Sequence, residues 1–144
     1  MKKEFSDYLK AVGLTDQFYE RAGEILDLYE QIYPSQLIDI FVSEYADQEG
    51  TRHYENLWMF TPNAACEAKQ FLTEDNLDAL AYRKMITYWT VQKVDYDFKN
   101  ASPTSRMSVH FIVTGVTGTL KASSNNCDAL RNILLKHIVT NMCK

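Results

Sequence analysis

Apolar positions recur at helical spacing in the first part of the chain and switch to alternation near Leu37. Phe5, Tyr8, Leu9 and Val12 share one face of a short helix, and Gly13 is placed to end it. Thr15 or Asp16 can cap a second helix, whose apolar face is Phe18, Ala22, Ile25, Leu26, Tyr29 and Ile32. Pro34 stops that helix, because the residue before a proline is turned away from helical backbone. From Leu37 the period becomes two. Ile38, Ile40 and Val42 share one strand face, with Leu37, Asp39, Phe41, Ser43 and Tyr45 on the other. The loop 47–51 turns the chain into a second strand, where Tyr54, Asn56, Trp58 and Phe60 alternate with Glu55, Leu57 and Met59. Pro62 breaks this run, since proline cannot donate to a central ladder.

Residues 64–71 admit both periods. Their alanines and Glu67 favour helix, whereas the polar link 72–76 and the alternation over 77–82 suit a hairpin, and strand is the reading taken. Residues 85–98 carry the clearest strand, with Ile86, Tyr88, Val94, Tyr96 and Phe98 on one parity and Asp95 and Asp97 on the other. Trp89 and Val91 fall on the acidic parity, which implies cover on both faces or a bulge. After a loop, 99–105, comes the alternating run 107–113, then a glycine-bearing break, 114–118, and a short run, 119–122. The polar stop 123–126 opens a final helix that Asn125 or Asn126 can cap, with Asp128 in its first turn. Its stripe of Leu130, Ile133, Leu134, His137 and Ile138, widened by Leu135 and Val139, suits a helix that covers a sheet.

These elements predict an α+β fold: two N-terminal helices, then a strongly bent antiparallel sheet or partly open barrel capped by one C-terminal helix. The chain reads as a single domain, 1–144, with a helical hairpin over 1–34 and the sheet and closing helix over 35–144. At 144 residues and 46% apolar it is long enough to bury a substantial core. No apolar run reaches the roughly 18 residues that span a membrane, and the polar start of the chain does not fit a signal peptide. Cys66, Cys127 and Cys143 are odd in number and form no CxxC pair, so neither a disulfide framework nor a zinc site is supported. A cytoplasmic protein with reduced thiols is expected.

The net charge of −4 hides a division. Residues 1–82 hold 6 Lys/Arg and 16 Asp/Glu, a net −10, and residues 83–144 hold 9 and 3, a net +6. Two halves that fold against each other explain this better than a basic surface for an acidic partner. Within the basic stretch 83–144 only Arg83 and Lys84 are adjacent cations, and with a pI near 5.3 no nucleic-acid partner is expected.

The chain holds no GxGxxG, P-loop, HExxH or GxSxG pattern, and no two of His53, His110 and His137 have the i, i+4 spacing of helical metal ligands. No catalytic residue, cofactor or metal is therefore expected. His110 beside Ser108 can be read as a base, but an ordinary hydrogen-bonded histidine is the favoured reading. His137 reads as a core-edge histidine whose cation the helix C-terminus favours. The dipole at the start of the same helix is expected to lower the pKa of Cys127, although no base partner completes a nucleophile. Asp95 and Asp97 are a formal metal pair, but Lys93 and Lys99 beside them favour solvated charge.

The ordered strands closed by one helix, and above all the strand–turn–strand–helix unit of residues 105–142, resemble the pleckstrin-homology-like (PH-like) superfold, whose bacterial members are the nearest comparison. The likeness covers residues 37–142, with the two opening helices as an addition. It implies a bent, partly open barrel with a capping helix. It also implies a role in binding lipid headgroups, peptides or proteins, or in self-assembly, with catalysis rare. Phosphoinositide-binding members place Lys and Arg around the first strand–strand loop. Here Glu44, Asp47 and Glu49 stand against Arg52, so no phosphoinositide headgroup is expected.

The functional expectation is a non-enzymatic binding or self-assembly module. It would recognise a protein or peptide partner, a second copy included, through its sheet edge and aromatic surface. Trp58, Tyr88, Trp89, Asp95 and His110 are the candidate interaction or pocket residues. The other reading is a cone-shaped NTF2-like fold, in which Tyr88, Trp89, Asp95 and His110 line a small-ligand cavity or acid–base site. The long closing helix argues against it, because that fold normally ends on a strand.

Overall fold

In the computed structural model the described residues are 1–69, 78–83, 90–97, 105–113 and 116–139. Two helices open the chain as their periodicity predicts, α1 (Lys3–Val12) and α2 (Asp16–Ile32). Gly13 ends α1 with φ of 90°, and its N–H closes on the carbonyls of Leu9 and Lys10. Next come β1 (Asp39–Ala46), β2 (Arg52–Phe60), β3 (Ala64–Lys69) and β4 (Asp78–Arg83), paired antiparallel in chain order. A second antiparallel sheet holds β5 (Thr90–Asp97), β6 (Arg106–Val113) and β7 (Val116–Ser123). α3 (Asn126–Ile133) then continues into a π-helical stretch, Leu134–Ile138. The α+β class and the order of helices and strands stand. Among the described residues the strands form two sheets that share no ladder, and no closed barrel results.

The core explains the alternations. α1 and α2 lie on one face of the four-stranded sheet, where Phe5, Leu9, Ile25 and Leu26 pack with Ile40, Val42, Leu57 and Met59. The other face, with Phe41, Trp58, Phe60 and Ala65, packs on Met107, Val109, Phe111 and Leu120 of the second sheet and on Cys127, Leu130, Ile133 and Ile138. β1 and β2 are thus covered on both sides, so both of their parities carry large apolar residues. Burial of each such side chain contributes roughly 1.5–3 kcal/mol. Residues 64–69 are strand because Ala65 faces one core and Cys66 and Ala68 face the other, and small side chains fit between two layers. The conflict of parities in the fifth strand resolves as a shift of register between Val91 and Lys93.

Four expectations need correction. Ile32 is 58% exposed, because the buried face of α2 ends with Tyr29, one turn earlier. Leu135 and Val139 do not widen the buried stripe: both fall on the side of the helix away from Leu130, Ile133 and His137 and are exposed. Gly118 lies inside β7 rather than in a break, opposite Phe111. Neither Asn125 nor Asn126 caps α3 with its side chain, because both are bonded elsewhere.

Candidate functional site

β1 and β7 run side by side, and side chains join them where a ladder would otherwise stand. A register shift between Ser43 and Glu44 pairs Glu44 with Tyr54 and skips Glu55. Ser43 Oγ accepts the Lys121 N–H at 3.0 Å. Glu44, 0% exposed, accepts the Ser123 N–H at 2.7 Å, the Ser123 hydroxyl at 2.6 Å and the Asn126 amide at 3.1 Å. The same Asn126 Nδ2 donates to Val42 O at 2.9 Å. Tyr8 closes the circuit by donating to Asn126 Oδ1 at 2.7 Å and accepting the Val42 N–H at 2.9 Å. Burial holds the Tyr8 phenol far above its ordinary pKa, so it stays a neutral donor. Arg52 brings its Nε to 3.9 Å from Glu44 and donates to Val12 O and, at 2.7 Å, to Asn125 Oδ1. This network locks α1, β1, β2, β7 and α3 together. It is a clamp, and it occupies the facing edges of β1 and β7 at this point.

Cys127 sits beside the clamp at the start of α3, and burial pushes its thiol up to about 11, with Glu44 and Asp128 adding to the effect. The expected lowering by the helix dipole is overturned, because desolvation and two carboxylates outweigh it. Burial likewise pushes the Cys66 thiol up to about 11. Both thiols are expected to resist iodoacetamide at pH 8 in the native protein and to react once urea unfolds it. Peptide mass mapping before and after unfolding checks this, and equal labelling in both states would contradict it.

At the opposite end of β1 a second polar group stands among apolar surface. Asp39 Oδ2 lies 2.5 Å from His137 Nε2 and 2.9 Å from Lys136 Nζ, both on the π-helical stretch. The His137 ring is 3% exposed and stacks on Phe60 at 4.6 Å. Burial raises the Asp39 pKa, but the hydrogen bonds and charges of His137 and Lys136 prevail and hold it below the ordinary carboxylate value. An open groove of about 450 Å³ runs here, lined by Asp39, Asn132, Ile133, Leu135 and Lys136. A second groove, of about 330 Å³, lies between the start of α1, the last turns of α2 and Leu37, two residues ahead of Asp39. Leu28 and Ile32 of α2, Tyr33 just after it, Ile38 just ahead of β1, and Leu135 and Val139 at the end of the closing helix are exposed.

The Asp39 contacts carry a pH signature. A carboxylate whose folded pKa is depressed stabilises the fold fully above the unfolded value and loses that contribution as pH falls through the folded value. Asp39→Asn is expected to cost about 1–2 kcal/mol at pH 7, less than a fully buried charged contact because Asp39 keeps partial exposure. The deficit should shrink below pH 4 as the wild type loses the same contribution. Urea unfolding at pH 7 and pH 3 measures both, and a deficit independent of pH would count against the pairing.

The candidate residues from the sequence do not converge. Trp58 is 0% exposed, edge-on to Phe111 at 5.7 Å, so it is a core residue and presents nothing to a partner. Tyr88 and Trp89 lie outside the described residues. The backbone register sets Asp95 opposite Ser108, on a strand next to His110. His110 is on the face of β6 away from the core, its Nδ1 3.2 Å from Thr119 Oγ1 and its Nε2 3.4 Å from Ser108 Oγ. Among the described residues no three His, Cys, Asp or Glu side chains converge as metal ligands. Sequence reasoning missed the Asp39–His137 pair. The available signal was an ionisable residue on each of two apolar faces, 98 residues apart. No family model, curated protein or solved structure matches the chain.

Proposed function

We propose that the protein is a non-enzymatic recognition module on a PH-like scaffold, docking a protein or peptide partner at the end where β1 begins. The observation that carries this reading is the exposure of Ile38, next to Asp39 in the chain, and of Leu135 in the wall of the Asp39 groove. Large apolar side chains beside fixed charges are the composition of a docking surface. The Asp39–His137–Lys136 contacts anchor the end of α3, so the surface is preformed and little ordering is needed on binding. Sheets of four and three strands with a closing helix support the scaffold reading. Docking at this end is favoured over strand addition to β1, whose edge is partly engaged with β7.

A phosphoinositide or nucleic acid is not the proposed ligand. In the first strand–strand loop Asp47 accepts the N–H groups of Glu49 and Thr51 and pairs with His53 at 2.9 Å, so that the loop presents carboxylate rather than a cradle for phosphate. No described helix is long and apolar enough to cross a membrane. We place the module in the cytoplasm, where buried free thiols such as Cys66 and Cys127 stay reduced.

The test is light scattering over a concentration series, paired with quantitative affinity capture, for the wild type and an Ile38→Asp/Leu135→Asp double variant. The wild type is expected to bind itself or a distinct partner, and the double variant to lose at least tenfold in affinity with an unchanged melting temperature. Equal binding by both proteins would refute the surface. Stabilisation by a small metabolite without any protein association would favour the NTF2-like reading instead.

A further inference from the structure

α2 turns a second face to solvent, away from the core that Ala22, Ile25, Leu26 and Tyr29 enter. Leu28 and Ile32 stand on it, one turn apart and both exposed, with Glu20, Glu24 and Asp27 beside them. α2 as a whole sets five acids against Arg21, a net −4. The Met1 ammonium engages Asp27 at 3.2 Å, whereas no ion pair among the described residues takes up Glu20 or Glu24. The outer face of α3 and of the stretch after it has the same plan with the charge reversed. Leu135 and Val139 are one turn apart and exposed, and Arg131 and Lys136 flank them. Residues 126–139 hold these two cations against Asp128, a net +1. Arg131 lies 3.6 Å from Asp128 and Lys136 lies 2.9 Å from Asp39, but both cations stay open to water. Exposed pairs of this kind are weak, so a further carboxylate can share either cation.

We propose that a second copy of this chain is the partner: α2 of one copy lies across the closing helix of the next, Leu28 and Ile32 against Leu135 and Val139, Glu20 and Glu24 near Arg131 and Lys136. The proposal rests on the recognition reading, because it names the partner that the Leu135 surface takes. Aliphatic pairs spaced by four residues form matching ridges, the spacing at which helices commonly interdigitate. The charges choose which helix meets which. Two α2 faces would set acid against acid, and two closing helices would set cation against cation, so unlike faces pair. α2 and the closing helix cover opposite faces of the four-stranded sheet, so a single neighbour does not engage both. The contact is therefore head-to-tail and open-ended, and each added copy leaves one face of each kind free. One helix pair falls at the small end of specific interfaces, which begin at roughly 1,200 Å², so the assembly is weak and reversible.

The experiment follows the mass of the full chain by light scattering as its concentration rises. Mean mass is expected to grow continuously, without a plateau at the dimer, and to grow less at high salt, where the flanking charges are screened. Leu28→Gln/Ile32→Gln and Leu135→Gln/Val139→Gln each remove one face at exposed positions with a residue that suits a helix. Each double variant alone is expected to self-associate at least tenfold more weakly, with an unchanged melting temperature. Each also keeps the face that the other lacks, so an equimolar mixture should form a 1:1 complex and grow no further. A wild type that is monomeric at every concentration overturns the proposal, as does a plateau at the dimer or a mixture that forms no complex. Capture of a distinct partner by a monomeric wild type, lost in the Ile38→Asp/Leu135→Asp variant, would also overturn it and would leave the recognition surface standing.

Discussion

Glu44→Ala is expected to lower the stability of the fold by about 3–5 kcal/mol, a large share of the roughly 5–15 kcal/mol that holds a domain of this kind together. The loss does not come from the carboxylate alone. Truncation leaves the Ser123 amide and hydroxyl buried without an acceptor, while Asn126 keeps Val42 O and Arg52 keeps Val12 O and Asn125 but each loses the carboxylate. Each stranded donor carries its own desolvation cost. Glu44→Gln keeps the shape but turns one acceptor into a donor facing donors, so about 1–3 kcal/mol is expected from it. Urea unfolding of both variants measures the difference. If alanine and glutamine cost the same, or if either costs under about 0.5 kcal/mol, Glu44 is not the centre of the clamp.

Gly118→Ala should produce the next largest loss, about 1–3 kcal/mol, from overpacking. A Cβ at this position would lie 2.6 Å from Cζ of Phe111 and within 3.2 Å of two further ring atoms. The ring has little room to retreat, because Phe111 is buried and stands edge-on against Trp58. The second substitution Phe111→Leu, made in the Gly118→Ala background, should therefore cost less than it does in the wild type. A double-mutant cycle read by thermal unfolding tests this. Simple additivity of the two losses would show that the Cβ and the ring do not meet.

The elements written in local periodicity were legible. α1, α2, β1, β2 and β6 follow from spacing that a few residues define, and Gly13 marks its helix end through the same local rule. Where the sequence misled, a distant partner had overridden a local preference. Asn125 and Asn126 are good caps in isolation, yet Ala11, Arg52, Val42 and Glu44 claim their side chains. Gly118 looks like a turn residue until the Phe111 ring is placed across from it. Cys127 feels a helix dipole that can be read from sequence, and a desolvation that cannot. The candidate site was the least legible part. Asp39 and His137 meet only after the sheet and the closing helix are assembled. Trp58, chosen for its chemistry, turned out to serve the core.

The clamp also bears on how the chain acquires its structure. The Tyr8–Asn126 bond closes a span of 118 residues, and the Ser123–Glu44 bonds close one of 79. Contacts this distant require much of the chain's entropy to be lost before they form, which slows folding relative to a bundle of local contacts. During synthesis the first helix and the first strand must wait, their polar groups still in water, until the last helix leaves the ribosome. The nascent chain therefore completes its fold late, and a chain that stops short of Asn126 lacks the side chain that ties Tyr8, Val42 and Glu44 together.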